Sequence, residues 1–134
     1  MIEIVFGKSA CGTMKYIGID PTDLYCFSFG LSMGDLTEKE YPDISELKTR
    51  VEHGESLRLW FSRKSPEEYC SFHWLMAELQ EIENAEIFAV SLPDYFALPD
   101  NCTMTCSDWG EVEPELWKPL LERKTILPVG QRVY

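Results

Sequence analysis

The chain has 134 residues, enough for one domain with its own hydrophobic core. Hydrophobic residues make up 45% of it, which excludes a disordered protein, and no apolar run reaches the roughly 18 residues that a membrane span needs. The 23 acidic and 12 basic residues leave a formal net charge of −11, which repels the phosphate backbone of nucleic acids. We therefore expect neither a nucleic acid nor a membrane as a partner.

The first element predicted is a strand at 2–6, a nearly all-apolar run that is typical of a strand buried on both faces of a parallel sheet. Gly7 and Gly12 bracket a short polar turn after it. Ser9 is suited to be the N-cap of a helix that begins near Ala10. The first turn of such a helix offers unpaired N–H groups and the positive end of a dipole to an anion.

This turn comes close to two phosphate-binding motifs and matches neither. The spacing G-x-x-x-x-G is followed by Thr13 where a P-loop has its lysine, so an ATPase of that class is excluded. The sequence G-x-G-x-x-G is absent, so the chain lacks a standard dinucleotide fingerprint.

The elements that follow alternate between strands and helices. They are a strand at 24–29, a loop at 30–41 long enough to act as a lid, a helix from 43 to Gly54, a strand at 57–61, a helix at 65–83, a strand at 86–91, a short edge strand at 103–106 and a helix at 113–121. The helix at 65–83 has the clearest start, with Ser65 as N-cap and Pro66 in the first turn. We interpret Glu67 and Glu68 as serving only the helix dipole.

This alternation predicts an α/β fold, a three-layer, open and mostly parallel sheet of four to five strands with helices on both faces, Rossmann-like in architecture. Residues 1–134 are expected to form a single α/β domain. The strands at 2–6 and 57–61 should pair in parallel. We expect 123–134 to be a tail that leads to a missing C-terminal region.

Ligands of such sheets bind beyond the carboxyl ends of the strands, where strand order reverses. The candidate ligand-binding residues at these ends are Gly7, Lys8, Ser9, Gly12, Ser32, Gly34, Asp35, Ser62 and Arg63. The glycine turn would hold a negative group, Arg63 would add charge, and Asp35 would orient a hydroxyl or amine. The alternative is that Ser9 and Ser65 are helix caps and nothing more.

The five cysteines are odd in number and include no C-x-x-C pair, and the N-terminus lacks the pattern of a signal peptide. We expect a cytoplasmic protein with five reduced thiols and no disulfide. Cys11 has no histidine near it in sequence, and Cys102 and Cys106 are only a weak zinc pattern. We therefore assign no catalytic residue, metal or cofactor.

Four segments together resemble an uncharacterised bacterial family, domain of unknown function 1835. They are 4–14 (IVFGKSACGTM), 31–36 (LSMGDL), 59–62 (LWFS) and 109–116 (WGEVEPEL). The resemblance implies an N-terminal α/β domain that precedes a helical region, and it brings no established activity. Many similar sequences have an acid after the second strand where this chain has Ser28 and Gly30, and a small residue at the position of Cys11.

Two hypotheses follow for the function. The first is that the protein binds a small anionic or nucleotide-like ligand at the carboxyl edge of the sheet, through the glycine turn after the first strand. The second is a regulatory or protein-interaction domain without catalysis. In that case Trp109 and Trp117 would be exposed, and together with the tail they would contact the missing C-terminal region or another protein.

Overall fold

The computed structural model of this chain describes residues 1–27, 41–83 and 85–121. The strands are β1 (Ile2–Val5), β2 (Leu24–Cys26), β3 (Leu57–Phe61), β4 (Ile87–Ser91), β5 (Phe96–Ala97) and β6 (Thr103–Met104). The helices are α1 (Lys8–Ile17), α2 (Ser45–Glu52), α3 (Pro66–Leu79) and α4 (Pro114–Leu120), with short 3₁₀ turns at Pro21–Asp23, Pro99–Asn101 and Trp109–Glu111.

Four strands form a parallel sheet in the order β2-β1-β3-β4. The register between β1 and β3 runs from Ile2 opposite Leu57 to Val5 opposite Trp60, so the predicted parallel pairing of these strands is confirmed. The chain crosses from β1 to β2 on one side and then to β3 on the other. Strand order therefore reverses between β1 and β3, which is where ligands of such sheets bind. The strands β5 and β6 form a separate antiparallel pair.

Helices cover both faces of the sheet, as the apolar strands predict. Ile4 and its alternate neighbours pack with Leu47 of α2 and Leu75 of α3 on one face. Val5 packs with Met14 of α1 and with the C-terminal segment on the other face. Every residue of β1 and β3 is buried, because both strands lie in the middle of the sheet with a helical layer on each side. The architecture is the three-layer α/β fold predicted.

A tryptophan cluster fills the face of the sheet that α1 covers. The rings of Trp60, Trp109 and Trp117 have centroids 4.6 to 5.0 Å apart, and all three side chains are fully buried. The expectation that Trp109 and Trp117 are exposed is therefore wrong. Each indole N–H is also satisfied internally, as for Trp109, which donates to the carbonyl of Phe61 at 2.8 Å.

A buried ion pair joins β1 to β3 beside this cluster. Arg58 Nε lies 2.9 and 3.0 Å from the two carboxylate oxygens of Glu3, and Trp60 Nε1 donates to Glu3 Oε2 at 2.7 Å. Arg58 Nη1 donates to the carbonyl of Leu121, just beyond α4. The pair therefore ties the sheet to the C-terminal helix.

One disulfide is present, between Cys11 of α1 and Cys26 of β2, so the expectation of five reduced thiols is wrong. The Cα atoms lie 5.9 Å apart, a distance that suits a disulfide. They come this close because α1 packs beside β2. An odd number of cysteines means that at least one of them is unpaired, but it does not prevent the others from forming disulfides. Cys70, Cys102 and Cys106 are free thiols.

The helices of the described ranges lack the length and apolar character that crossing a bilayer requires.

Candidate functional site

A cleft of about 240 Å³ opens at the carboxyl ends of β1 and β3, the point where strand order reverses. Three segments line it: the end of β1 with the start of α1, the start of α3, and the turn at 108–110. The lining residues are Phe6, Gly7, Lys8, Ser9, Ala10, Ser65, Glu67, Glu68, Asp108 and Gly110. The cleft therefore lies where ligands of open parallel sheets bind.

The N-terminus of α1 forms one wall of the cleft. The helix begins at Lys8, and its first intrahelical bond runs from the N–H of Cys11 to the carbonyl of Gly7 at 3.1 Å. The N–H groups of Lys8, Ser9 and Ala10 therefore have no acceptor within the helix. No side chain in the described ranges caps them. This end of α1 keeps free donors and the positive end of its dipole at the cleft.

Gly7 makes this arrangement possible through its backbone conformation. Its φ of 147° and ψ of 151° belong to a region that residues with a Cβ atom avoid.

The predicted start of the first helix was wrong in two respects, because α1 begins at Lys8. Ser9 lies inside α1 and is not its N-cap, and Gly12 lies in the helix and not in a turn.

The Trp109–Glu111 turn packs directly on the start of α1. A Cβ atom built on Gly110 would lie only 2.8 Å from Ser9 Cβ, so the two segments approach as closely as a glycine allows. Asp108 Oδ1 accepts a hydrogen bond from the N–H of Glu111 at 3.1 Å and so caps this turn.

Glu68, in the first turn of α3, is the unusual residue of the cleft wall. It is only 3% exposed, and its Oε2 accepts a hydrogen bond from the N–H of Trp109 at 3.1 Å. Its Oε1 has no hydrogen-bond partner in the described part of the chain. Burial raises the pKa of this carboxyl to about 8. The hydrogen bond from Trp109 lowers the pKa but does not offset burial, and the negative charges of Asp108 and Glu111 raise it further. At neutral pH the group is therefore mostly protonated.

The interpretation that Glu68 serves only the helix dipole is thus wrong. The sequence held a signal for its burial, because Glu68 precedes Phe72 by four residues and so lies on the apolar stripe of α3, with Leu75 and Leu79. Nothing local in the sequence pointed to Asp108 or to Gly110, which reach the cleft only through folding.

The predicted binding residues are divided among several places. Gly7, Lys8 and Ser9 line the cleft together, whereas Gly12 does not. Ser62 is buried and donates to the carbonyl of Ser107 at 2.7 Å. The remaining predicted residues lie elsewhere: Arg63 lines a separate cleft with Lys64 and Asp94, and Ser32, Gly34 and Asp35 lie outside the described residues.

No family model, curated protein or solved structure matches this chain. What the cleft binds is therefore inferred from its own residues.

Proposed function

We propose that this protein binds a small anionic ligand, such as phosphate or the phosphoryl group of a nucleotide-like molecule, in the cleft between β1 and β3. One observation carries the proposal. The uncapped N-terminus of α1 opens into this cleft at the point where strand order reverses, and Glu68 lies buried in the wall of the same cleft.

The size of the cleft supports a small ligand group. Its 240 Å³ is below the range of about 300 to 1,000 Å³ that is typical of sites for drug-sized molecules. A phosphate or carboxylate group fits inside. The remainder of a nucleotide-like ligand would extend out of the cleft over the exposed side chain of Lys8.

The protonated state of Glu68 is what makes an anion acceptable beside it. Its pKa of about 8 keeps the carboxyl mostly neutral at pH 7, so it does not repel the ligand. The N–H groups of Lys8, Ser9 and Ala10 supply the hydrogen-bond donors.

We propose a binding function and no reaction. The residues lining the cleft include neither a histidine nor a cysteine to act as a nucleophile or its base. The alternative, a protein-interaction domain, loses the two aromatic residues on which it relied, because Trp109 and Trp117 are fully buried. The tail on which it also relied lies outside the described residues.

We also keep three further expectations as part of this proposal. They are membership of the domain of unknown function 1835 family, a cytoplasmic location, and the absence of nucleic acid and membranes among the partners. The four sequence segments support the first. The Cys11–Cys26 disulfide counts against the second, because disulfides are rare in cytoplasmic proteins. The net charge of −11 supports the exclusion of nucleic acid.

Calorimetric titration with sodium phosphate, pyrophosphate and nucleotides tests the site, and Gly7→Ala is the decisive variant. An alanine there is strained by its φ, costing about 1–3 kcal/mol, and this strain distorts the entry to α1, so anion affinity should fall. Gly54→Ala is the matched control. Gly54 also has a positive φ, of 93°, and open space around it, but it lies at the end of α2 and does not line the cleft.

Gly110→Ala provides a second test that does not alter Gly7, because its Cβ atom would press on Ser9 in the cleft wall. Circular dichroism of each variant establishes that the sheet is folded. Loss of binding in both cleft variants, with binding retained in Gly54→Ala, would support the site. Failure of every anion to bind the wild type, or binding that survives both cleft variants, would overturn the proposal.

A further inference from the structure

We propose that the Cys11–Cys26 disulfide is a thiol–disulfide exchange site for small thiols, in which the thiol attacks Cys26 and Cys11 leaves as the thiolate. Neither cysteine is among the residues that line the anion cleft, so this second site does not depend on the proposed function. Two features of the fold carry the proposal. They are the unequal exposure of the two cysteines and the positive surroundings of Cys11.

Access favours attack on Cys26. This residue is exposed at the end of β2, and in the described part of the chain β2 is an edge strand that pairs only with β1. Cys11 is half-buried, because it packs against the apolar cluster that includes Met14. A thiol from solvent therefore reaches the sulfur of Cys26 more readily than the sulfur of Cys11.

The start of α1 stabilises a thiolate at Cys11. Cys11 is the residue whose N–H makes the first intrahelical bond of α1, to the carbonyl of Gly7. In a helix the Cα–Cβ bond tilts toward the N-terminus, so the Cys11 side chain is directed back toward the free N–H groups of the first turn. The positive end of the helix dipole there favours a negative charge on the sulfur.

Two lysines add positive charge beside Cys11. Lys8 precedes it by three residues and Lys15 follows it by four, and side chains at these spacings are neighbours on a helix surface. Both lysines are exposed. Cys26 belongs to a strand, which has only a small dipole of its own. Cys11 is therefore the better leaving group of the two.

The exchange takes two steps. In the first, the thiolate of a small thiol attacks the sulfur of Cys26 and forms a mixed disulfide, while the bond to Cys11 breaks and its electron pair stays on Cys11 as a thiolate. In the second, another thiolate attacks the small-molecule sulfur of the mixed disulfide and releases Cys26. The small thiols give up two protons to solvent, of which Cys26 takes one, and Cys11 takes the other or stays ionised. Two thiols are thereby oxidised to one disulfide, and the protein gains two electrons.

Brief treatment of the folded protein with 2-mercaptoethanol, followed by rapid alkylation and peptide mass spectrometry, tests which sulfur is attacked. Cys70→Ser and Cys102→Ser are present in every sample, because these exposed free thiols would also react. The mixed disulfide should form on Cys26 at least about fivefold more often than on Cys11, since a helix N-terminus alone can contribute about this factor. In urea, with α1 and β2 unfolded, the two sulfurs should be attacked about equally.

Lys8→Gln combined with Lys15→Gln tests the surroundings of Cys11. This double variant should be reduced about two- to fivefold more slowly, and its ratio of Cys26 to Cys11 attack should fall toward the ratio in urea. Lys48→Gln is the matched control. It also removes one lysine charge from a helix, but α2 covers the opposite face of the sheet, so rate and ratio should stay as in the wild type. Circular dichroism establishes that each variant is folded.

Several outcomes would overturn the proposal. Equal attack on the two sulfurs in the folded protein, or reduction no faster than global unfolding, would show that the bond is purely structural. Preferential attack on Cys11 would contradict the assigned roles. A ratio that the double lysine variant leaves unchanged, or that Lys48→Gln changes as strongly, would show that the charge around Cys11 does not direct the exchange.

Discussion

Replacing Glu68 with glutamine should stabilise the protein at neutral pH. The folded protein holds the proton of this carboxyl up to a pKa of about 8, whereas the ordinary pKa of a glutamate is 4.5. Between these two values the folded state binds more protons than the unfolded state. The free energy of unfolding of the wild type therefore falls as the pH rises through this window, and it levels off above pH 8.

The magnitude follows from the width of the window. Each pKa unit corresponds to about 1.4 kcal/mol, and pH 7 lies 2.5 units above the unfolded value of 4.5, so the contribution lost by pH 7 is about 3 kcal/mol. Glutamine does not ionise, so the variant loses no free energy of unfolding over this pH range. Its amide oxygen can still accept the N–H of Trp109, and its NH₂ group replaces the unpartnered O–H of the acid. The two proteins should therefore be about equally stable near pH 4.

Urea denaturation at several pH values between 4 and 9 measures this difference by linear extrapolation. Glu68→Gln should gain on the wild type by about 1.4 kcal/mol per pH unit between pH 5 and pH 8. Glu52→Gln is the control for the loss of one acidic side chain, since Glu52 is exposed, and its difference from the wild type should stay small. A difference between Glu68→Gln and the wild type that does not change with pH would show that Glu68 ionises normally in the folded protein.

Three further predictions concern other parts of the fold. Thiol titration after denaturation without reductant should find three free cysteines. The Cys11–Cys26 bond closes a loop of 15 residues, so its reduction should lower the free energy of unfolding, measured in urea, by about 3 kcal/mol. Gly12→Ala should raise the melting temperature, because alanine is favoured over glycine inside a helix by about 0.5–1 kcal/mol and open space surrounds Gly12; anion binding should not change. Arg58→Ala should cost about 3–5 kcal/mol by leaving Glu3 buried without its partner, and urea unfolding that shows a loss below 1 kcal/mol would contradict this.

The sequence alone determined the architecture. The apolar runs of β1 and β3 predicted strands buried on both faces, and the structure places both in the middle of a parallel sheet. The start of α3 was predicted equally well, because Ser65 caps the N–H of Glu68 and Pro66 occupies the first turn. These features depend on periodicity and on contacts within a few residues, so a local pattern is sufficient to recognise them.

The start of α1 shows how narrow that local information is. Both Gly7 and Ser9 are acceptable N-cap residues, and no local pattern favours the glycine over the serine. The choice depends on the φ of 147° at Gly7, which is set by how β1 leads into α1. Because α1 begins at Lys8, two residues before the predicted start, Gly12 lies inside the helix. The free N–H groups at the cleft are therefore those of Lys8, Ser9 and Ala10.

The chemistry of the cleft was decided by tertiary structure. Glu68 is buried because Trp109, 41 residues later in the chain, packs over it and donates its N–H to the carboxyl. The same packing buries Trp117, and the close approach of α1 to β2 joins Cys11 to Cys26. Burial and pairing of this kind depend on residues far apart in sequence. The periodicity of a segment predicts which of its faces is buried, but only the packed fold determines which distant groups meet there.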